Sequence, residues 1–240
     1  MNKIGEIKNN NQGTPMKIVA YRNSENIDVQ FQDKFYYIKE HQTYSNFSTG
    51  SIKNPYDKSV FGVGYIGVGK YKTKEHGKFT KYYQQWKNML LRCYVKEDRH
   101  RPYEDSEVCE EWLNFQIFSK WYDENYYEID ERLHIDKDIK YKGNKIYSPY
   151  TCILVPQSIN EVFHKSKEKQ DDCDLPETIR RTKTGYKVWF RGENLGIYDS
   201  VDECLKKYNT AKREHIKNLI GKYEDVIPSY IKEILLNCEL

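Results

Sequence analysis

The hydrophobic pattern changes period twice along the chain, and this constrains the fold more than any single motif. Ile27, Val29 and Phe31 alternate with polar neighbours, the period of a half-buried strand. Residues 35–38 form a second β-prone run and residues 16–21 a third, bounded by loop chemistry at 9–13 and 48–50. Further on the spacing becomes helical. Tyr83, Trp86, Leu90 and Cys93 mark a helix over 82–94, and Leu113, Ile117 and Trp121 mark another over 110–125. After Glu128 short extended runs return around a turn at Lys142-Gly143-Asn144-Lys145, and a helix begins near Pro156. Last come two strands, 185–191 and 195–198, joined at Gly192-Glu193-Asn194, then a helix with Ser200 as N-cap and Glu203 at the capping-box distance.

A chain of 240 residues with this pattern reads as α+β and multi-domain. The expected parts are a small β domain over 1–65, curled or barrel-like, a mixed domain over 78–165, and a small sheet packed on one helix over 176–240. The polar stretch 165–174 reads as a linker. No repeat of solenoid period is present.

A mean hydropathy of −0.91 is low for a folded chain, but 22 Tyr, 9 Phe and 4 Trp supply the bulk for packed cores and exclude global disorder. The net charge is only +3, so any nucleic-acid surface must arise from local clustering. Six cysteines without a Cys-x-x-Cys pair argue against a zinc ribbon or a disulfide framework, and fit reduced thiols in the cytoplasm. No apolar run approaches the roughly 20 residues of a membrane span, and the N-terminus lacks the apolar stretch of a signal peptide. No membrane partner is expected.

Gly62, Gly64 and Gly67 fit a dinucleotide-binding pattern by letter. That pattern needs a helix immediately after it, whereas residues 70–77 read as a polar loop. Gly64 to Lys70 also approaches a phosphate-binding loop, but Tyr71 stands where Ser or Thr ligates magnesium. No nucleotide cofactor is expected, and the glycines read as a tight, flexible connection between the first two domains.

Residues His134, Asp136 and Asp138 alternate over five positions, and in a strand all three project to one face. Two carboxylates and an imidazole there suit a hard divalent cation. The same residues beside Lys137 and Lys140 equally describe a solvated, charged edge.

A resemblance bears on that choice. Leu133-His-Ile-Asp-Lys-Asp-Ile139, then Gly143-Asn-Lys-Ile-Tyr-Ser-Pro-Tyr-Thr-Cys152 and Val155-Pro-Gln-Ser-Ile-Asn160 resemble the HNH endonucleases of phages. Trp86-Lys-Asn-Met-Leu-Leu-Arg-Cys-Tyr94 and Val108-Cys-Glu-Glu-Trp112 look like the helical lead-in of that group. The resemblance implies the ββα-metal fold and a Mg2+ or Mn2+ cofactor. It makes Asp136 and Asn160 metal ligands, with Asp138 a further candidate. Where the family carries the histidine that activates water, this chain has Lys137, and Thr151 replaces the middle asparagine that steadies the loop. An unperturbed lysine is a poor base near neutrality. His134, on the same strand face as Asp136, is the candidate substitute, and Lys137 a candidate phosphate ligand.

Residues 180–191 contain five basic side chains and no acidic one. Alternation places Lys187, Trp189 and Arg191 on one face, Val188 and Phe190 on the other. Together with Arg180, Arg181 and Lys183 they form a candidate DNA-binding face, with charges for phosphates and planar groups for base edges. An ordinary exposed face with one amphipathic Trp has the same pattern. Tyr186-Lys-Val-Trp-Phe-Arg191, Leu195-Gly-Ile-Tyr198 and Tyr208-Asn-Thr-Ala211 resemble the plant ethylene-response-factor type of DNA-binding domain. That implies a three-stranded sheet on one helix, with double-stranded DNA as partner.

The expected function is a metal-dependent DNA endonuclease of HNH homing type, with flanking domains that recognise DNA. The alternative is a catalytically inactive HNH-derived factor that binds DNA or a host protein, as a repressor or as an inhibitor of a host defence enzyme.

Overall fold

A computed structural model describes residues 3–96, 105–163 and 175–240. The expected linker at 165–174 lies outside them. The chain is α+β and divides into two compact units, Met1–Asp123 and Glu124–Leu240. The division falls inside the segment that sequence pattern groups as 78–165. Among the described residues no helix is long and apolar enough to cross a membrane.

The first unit begins with four antiparallel strands paired in chain order: β1 (Ile7–Asn9), β2 (Pro15–Asn23), β3 (Asn26–Phe31) and β4 (Ile38–Gln42). Alternation turns Met16, Ile18, Ile27, Val29 and Phe31 to one face, where Phe47 from α1 (Tyr44–Ser48) and Ile52 close the core. The sheet is an open meander rather than a barrel. The run at 35–38 pairs later than its sequence suggests. Asp33 Oδ1 accepts from the N–H groups of Phe35 and Tyr36, and Tyr36 takes a φ of 47°, so the chain turns before Ile38 joins the sheet.

The supposed polar loop at 70–77 is in part a hairpin, β5 (Lys74–Glu75) and β6 (Lys78–Phe79), turned at His76-Gly77. It leads into α2 (Lys81–Tyr94), whose N-cap Thr80 accepts from Tyr83 N. Trp86, Met89 and Leu90 are buried on α2, and Trp86 Nε1 donates to Trp112 O at 2.7 Å. After β7 (Glu107–Val108), the continuous helix expected over 110–125 is broken. A 3-10 turn, Glu110–Leu113, and α3 (Phe115–Asn125) are separated by extended Asn114. The cause is tertiary. Tyr65 N donates to Leu113 O, and Phe115 N to Tyr65 O, so a distant loop residue takes the backbone groups a helix needs. The break rephases the helix: Phe115, Phe118 and Tyr122 are buried, and Ile117 is exposed.

Tyr65 lies in the glycine-rich segment, which is packed rather than flexible. A Cβ on Gly64 would lie 2.5 Å from Leu90 Cδ1 and 2.8 Å from Trp86 Cζ2. Gly67 and Gly69 sit as tightly against Asn114 and Gln116. Glycine suits these positions because a backbone lies against side chains, and a hairpin follows rather than a helix N-terminus that could meet a phosphate.

The second unit starts with β8 (Leu133–Asp136), β9 (Ile146–Tyr147), β10 (Ile153–Pro156) and α4 (Gln157–Phe163). Strands β8 and β10 are antiparallel, with Asp136 opposite Ile153 and Leu133 opposite Pro156. A three-stranded antiparallel sheet follows, β11 (Ile179–Arg181), β12 (Tyr186–Phe190) and β13 (Glu193–Tyr198). Two of these strands were legible in the pattern; β11 was not. Ser200 caps α5 (Val201–Lys222) by accepting from Glu203 N at 3.2 Å, and α6 (Ser229–Asn237) closes the unit.

One core joins these parts. Ile139, Ile153, Val155, Ile159 and Val162 pack with Phe190 of β12, Ile216 and Ile220 of α5, and Ile231 and Leu235 of α6. Each fully buried aliphatic side chain of this kind contributes about 1.5–3 kcal/mol. The ββα segment and the C-terminal sheet, expected as separate domains, therefore share a hydrophobic centre. Ile179, Val188 and Cys204 form a smaller cluster between the sheet and α5.

Candidate functional site

The antiparallel pair β8–β10 feeds directly into α4, which brings His134 and Asn160 together. Asn160 is buried, and its Nδ2 lies 3.2 Å from His134 Nδ1. The start of α4 is held by Glu131. One of its oxygens accepts from Ser158 N at 2.8 Å, the other from Ser158 Oγ and from the Tyr223 hydroxyl of α5. Burial pushes the Glu131 carboxyl up, but the bonds from Tyr223 and Ser158 and the Lys222 charge together hold it below its ordinary value.

Asp136 ends β8. Its Oδ1 accepts two backbone N–H groups, those of Asp138 and Ile139, each at 2.7 Å. This Asx turn stops the strand, so the alternation expected to carry Asp138 onto the His134 and Asp136 face ends one step early. The Asp138 carboxylate instead takes the Lys137 ammonium at 2.7 Å. Burial raises the Asp136 carboxyl above its ordinary value, against the two N–H bonds that favour its charged form.

Lys137 is buried at 5% exposure, so its side chain is not available at the surface. Its Nζ donates to Asp138 Oδ2 and to Asn144 O at 2.9 Å. Asn144 answers with its own amide, donating to Lys137 O at 2.9 Å and Ile146 O at 2.8 Å. Asn144 thus ties its own loop back to the residue after β8, although the resemblance puts the loop-steadying asparagine at the position Thr151 occupies. The Thr151 hydroxyl donates to Ile146 O and meets Ser148 Oγ. The signal for Asn144 was present in the sequence, an asparagine just after the glycine of a turn, but nothing local said that its amide reaches back to Lys137.

Among the described residues no three His, Cys, Asp or Glu side chains are grouped to hold a metal. A hard cation needs fewer from the protein. Magnesium is often bound through one or two carboxylates, with water and substrate phosphates filling its shell. Asp136 offers one such carboxylate, fixed in orientation by the two N–H bonds on its Oδ1, and Asn160 offers an amide oxygen. The donor chemistry suits Mg2+ or Mn2+.

The sheet presents a second constellation. Trp189 is flanked by Lys187, whose Nζ is 4.8 Å from the ring centroid, and by Arg180, whose guanidinium carbon is 5.5 Å away. Arg180 and Lys187 face each other across β11 and β12, and exposed Ile197 sits opposite Lys187 on β13. Val188 and Phe190 are buried on the other face, as alternation requires. Arg181 stacks on Tyr186 at 5.9 Å, and Lys183 is exposed in the turn closed by Thr182 and Gly185.

Arg191 departs from this pattern. Strands β12 and β13 are joined by a two-residue turn, Arg191-Gly192, with φ of 50° and 83°. The positive φ ends the alternation that would place Arg191 beside Trp189. Its charge reaches His215 on α5, where burial first and Arg191 second lower the imidazole pKa. Arg180, Lys187 and Trp189 form one surface, and Arg191 is turned from it.

No protein-family model, no curated protein and no solved structure matches the chain.

Proposed function

We propose that this chain is a metal-dependent DNA endonuclease of the HNH homing type, whose ββα module hydrolyses a phosphodiester while the three-stranded sheet holds the duplex. The observation that carries the reading is the contact of His134 with Asn160, set beside Asp136 at the end of the same strand. A magnesium or manganese ion held by Asp136 and Asn160 would supply charge stabilisation at the phosphate. His134 is the proton acceptor, because Lys137 is buried and engaged by Asp138 and Asn144.

Asn160 links these roles. With its Nδ2 on His134 Nδ1, the imidazole carries its proton on Nε2 and donates to phosphate. With the amide reversed, Asn160 Oδ1 accepts from Nδ1–H and His134 Nε2 becomes a base. The two roles are alternatives: while His134 Nε2 acts as base, Asn160 Oδ1 accepts from Nδ1–H, and the metal would rest on Asp136 with water and phosphate oxygens.

The expected result is nicking or cutting of supercoiled plasmid with Mg2+ or Mn2+, abolished by chelator. Asp136→Ala should lower cleavage by at least about 100-fold and leave DNA affinity near wild type. A second reading rests on the engaged Lys137: an inactive HNH-derived factor that binds DNA, or a host protein such as a defence enzyme. Absence of cleavage on every DNA tried, with binding intact, would establish that reading over the first. Steep loss of affinity with salt separates DNA from a protein partner.

A further inference from the structure

The first unit carries a basic, aromatic hairpin that the endonuclease reading leaves without a role. Residues 70–81 hold five lysines, Lys70, Lys72, Lys74, Lys78 and Lys81, against the single Glu75. All five are exposed. Among the described residues, Lys72, Lys74 and Lys78 form no ion pair with a carboxylate. Their charges are therefore not neutralised by the unit that displays them.

The hairpin also exposes one aromatic ring. Phe79 is 48% exposed and lies opposite Lys74, whose Nζ is 4.8 Å from its centroid, while Lys87 of α2 stands 5.6 Å away on the same ring. A two-stranded ribbon this short is marginal by itself. Here its base is fastened to α3. Tyr71 and Gln116 exchange two hydrogen bonds, backbone N–H to Oε1 at 3.0 Å and Nε2 to backbone O at 2.9 Å. The hydroxyls of Tyr71 and Tyr82 both donate to Asp123. Thr80 ties the two arms through Lys72 O and Thr73 O. Among the described residues nothing lies within 4 Å of a Cβ built on Gly77 at the tip, while the base is hydrogen-bonded to α3, so little ordering is needed to dock it.

We propose that this hairpin is a second nucleic-acid contact, with the phosphate backbone of duplex DNA as its ligand. A two-stranded ribbon fits the major groove, and the lysines supply counterion-releasing contacts. Phe79 is the one strongly exposed large apolar side chain of the hairpin, too little apolar surface for a membrane interface to be the better fit. The proposal takes DNA as partner from the functional reading but does not depend on cleavage.

The test uses the full chain and a fluorescein-labelled duplex of arbitrary sequence. The variant Lys72→Gln/Lys74→Gln/Lys78→Gln should weaken binding on the order of 100-fold at 0.15 M salt, and flatten the log affinity against log salt slope by about 3. Near-UV and far-UV dichroism should be unchanged. Wild-type affinity and slope in the variant, or no duplex binding by the wild type, overturns the proposal. Loss of binding to phosphatidylserine vesicles with DNA affinity unchanged overturns it in favour of a membrane surface. A wild type that binds duplex through the hairpin but never cuts leaves this proposal standing and removes only the endonuclease reading.

Discussion

Lys137 and Lys187 belong to the same compact unit, yet they are put to opposite uses. Lys137, just past β8, is buried, and its ammonium is taken by Asp138 and the Asn144 carbonyl. Lys187, in β12, is half-buried and lies across the Trp189 ring, on the face opposite buried Val188 and Phe190. The ββα module consumes its polar groups internally: Asp136 Oδ1 ends a strand, Glu131 holds α4, and Asn144 ties a loop. The three-stranded sheet keeps Arg180 and Lys187 outward and uses an aromatic ring to orient them. Charge spacing in a sequence therefore does not distinguish a lysine bonded inside the fold from one laid against a ring on a sheet face. What distinguishes them is whether the surrounding backbone leaves carbonyls and N–H groups that need partners.

The comparison breaks if the two regions unfold independently. Ile216 is 1% exposed at the centre of the core that holds Phe190 of the sheet and Ile153 and Val155 of the ββα strands. Ile216→Ala should cost about 2–5 kcal/mol. It should lower amide-exchange protection in β10 and in β12 together. Loss of protection confined to one of them would mean that the shared core does not couple them.

A smaller effect sharpens the contrast between the lysines. Lys137→Met removes two hydrogen bonds at a buried site and should cost about 1–3 kcal/mol in urea unfolding. Lys187→Met should change stability by less than about 0.5 kcal/mol. Its effect should appear in DNA affinity instead, a loss of about fivefold at 0.15 M salt for one phosphate contact. Equal destabilisation by the two substitutions would remove the distinction.

The fold was legible where local rules decide. The helical spacing of Trp86 and Leu90, the Ser200 cap and the alternation of Val188 and Phe190 all act within a few residues. What was not legible depends on distant partners. Asn114 interrupts a helix because Tyr65 takes the backbone groups of Leu113 and Phe115. Arg191 leaves the Trp189 face because a two-residue turn forces a positive φ. At the candidate site the residue types His134, Asp136 and Asn160 could be read from the sequence, but the loop-steadying role of Asn144 required coordinates.

The smallest expected effect is a pH dependence confined to the ββα side. The Glu131 carboxyl titrates below its ordinary value of 4.5, so its stabilisation is present above 4.5 and is lost as pH falls through the lower folded value. Amide exchange at α4 should therefore loosen in that acidic window, while β12 stays protected. Glu131→Gln should abolish the window. An unchanged acid profile at α4 in that variant would show that Glu131 does not hold the helix start.

The glycine-rich strap against α2 has a consequence for anyone who searches by pattern. At positions 64 and 67 the admissible alphabet narrows to glycine, because a Cβ at 64 would enter the Trp86 ring and position 67 holds a φ of 71°. At 69 a Cβ would have to displace the end of the Gln116 side chain. Spacings set by a partner helix and a loop thereby spell out a word that elsewhere denotes phosphate. The signature is a homonym, and only the element that follows it tells the two meanings apart.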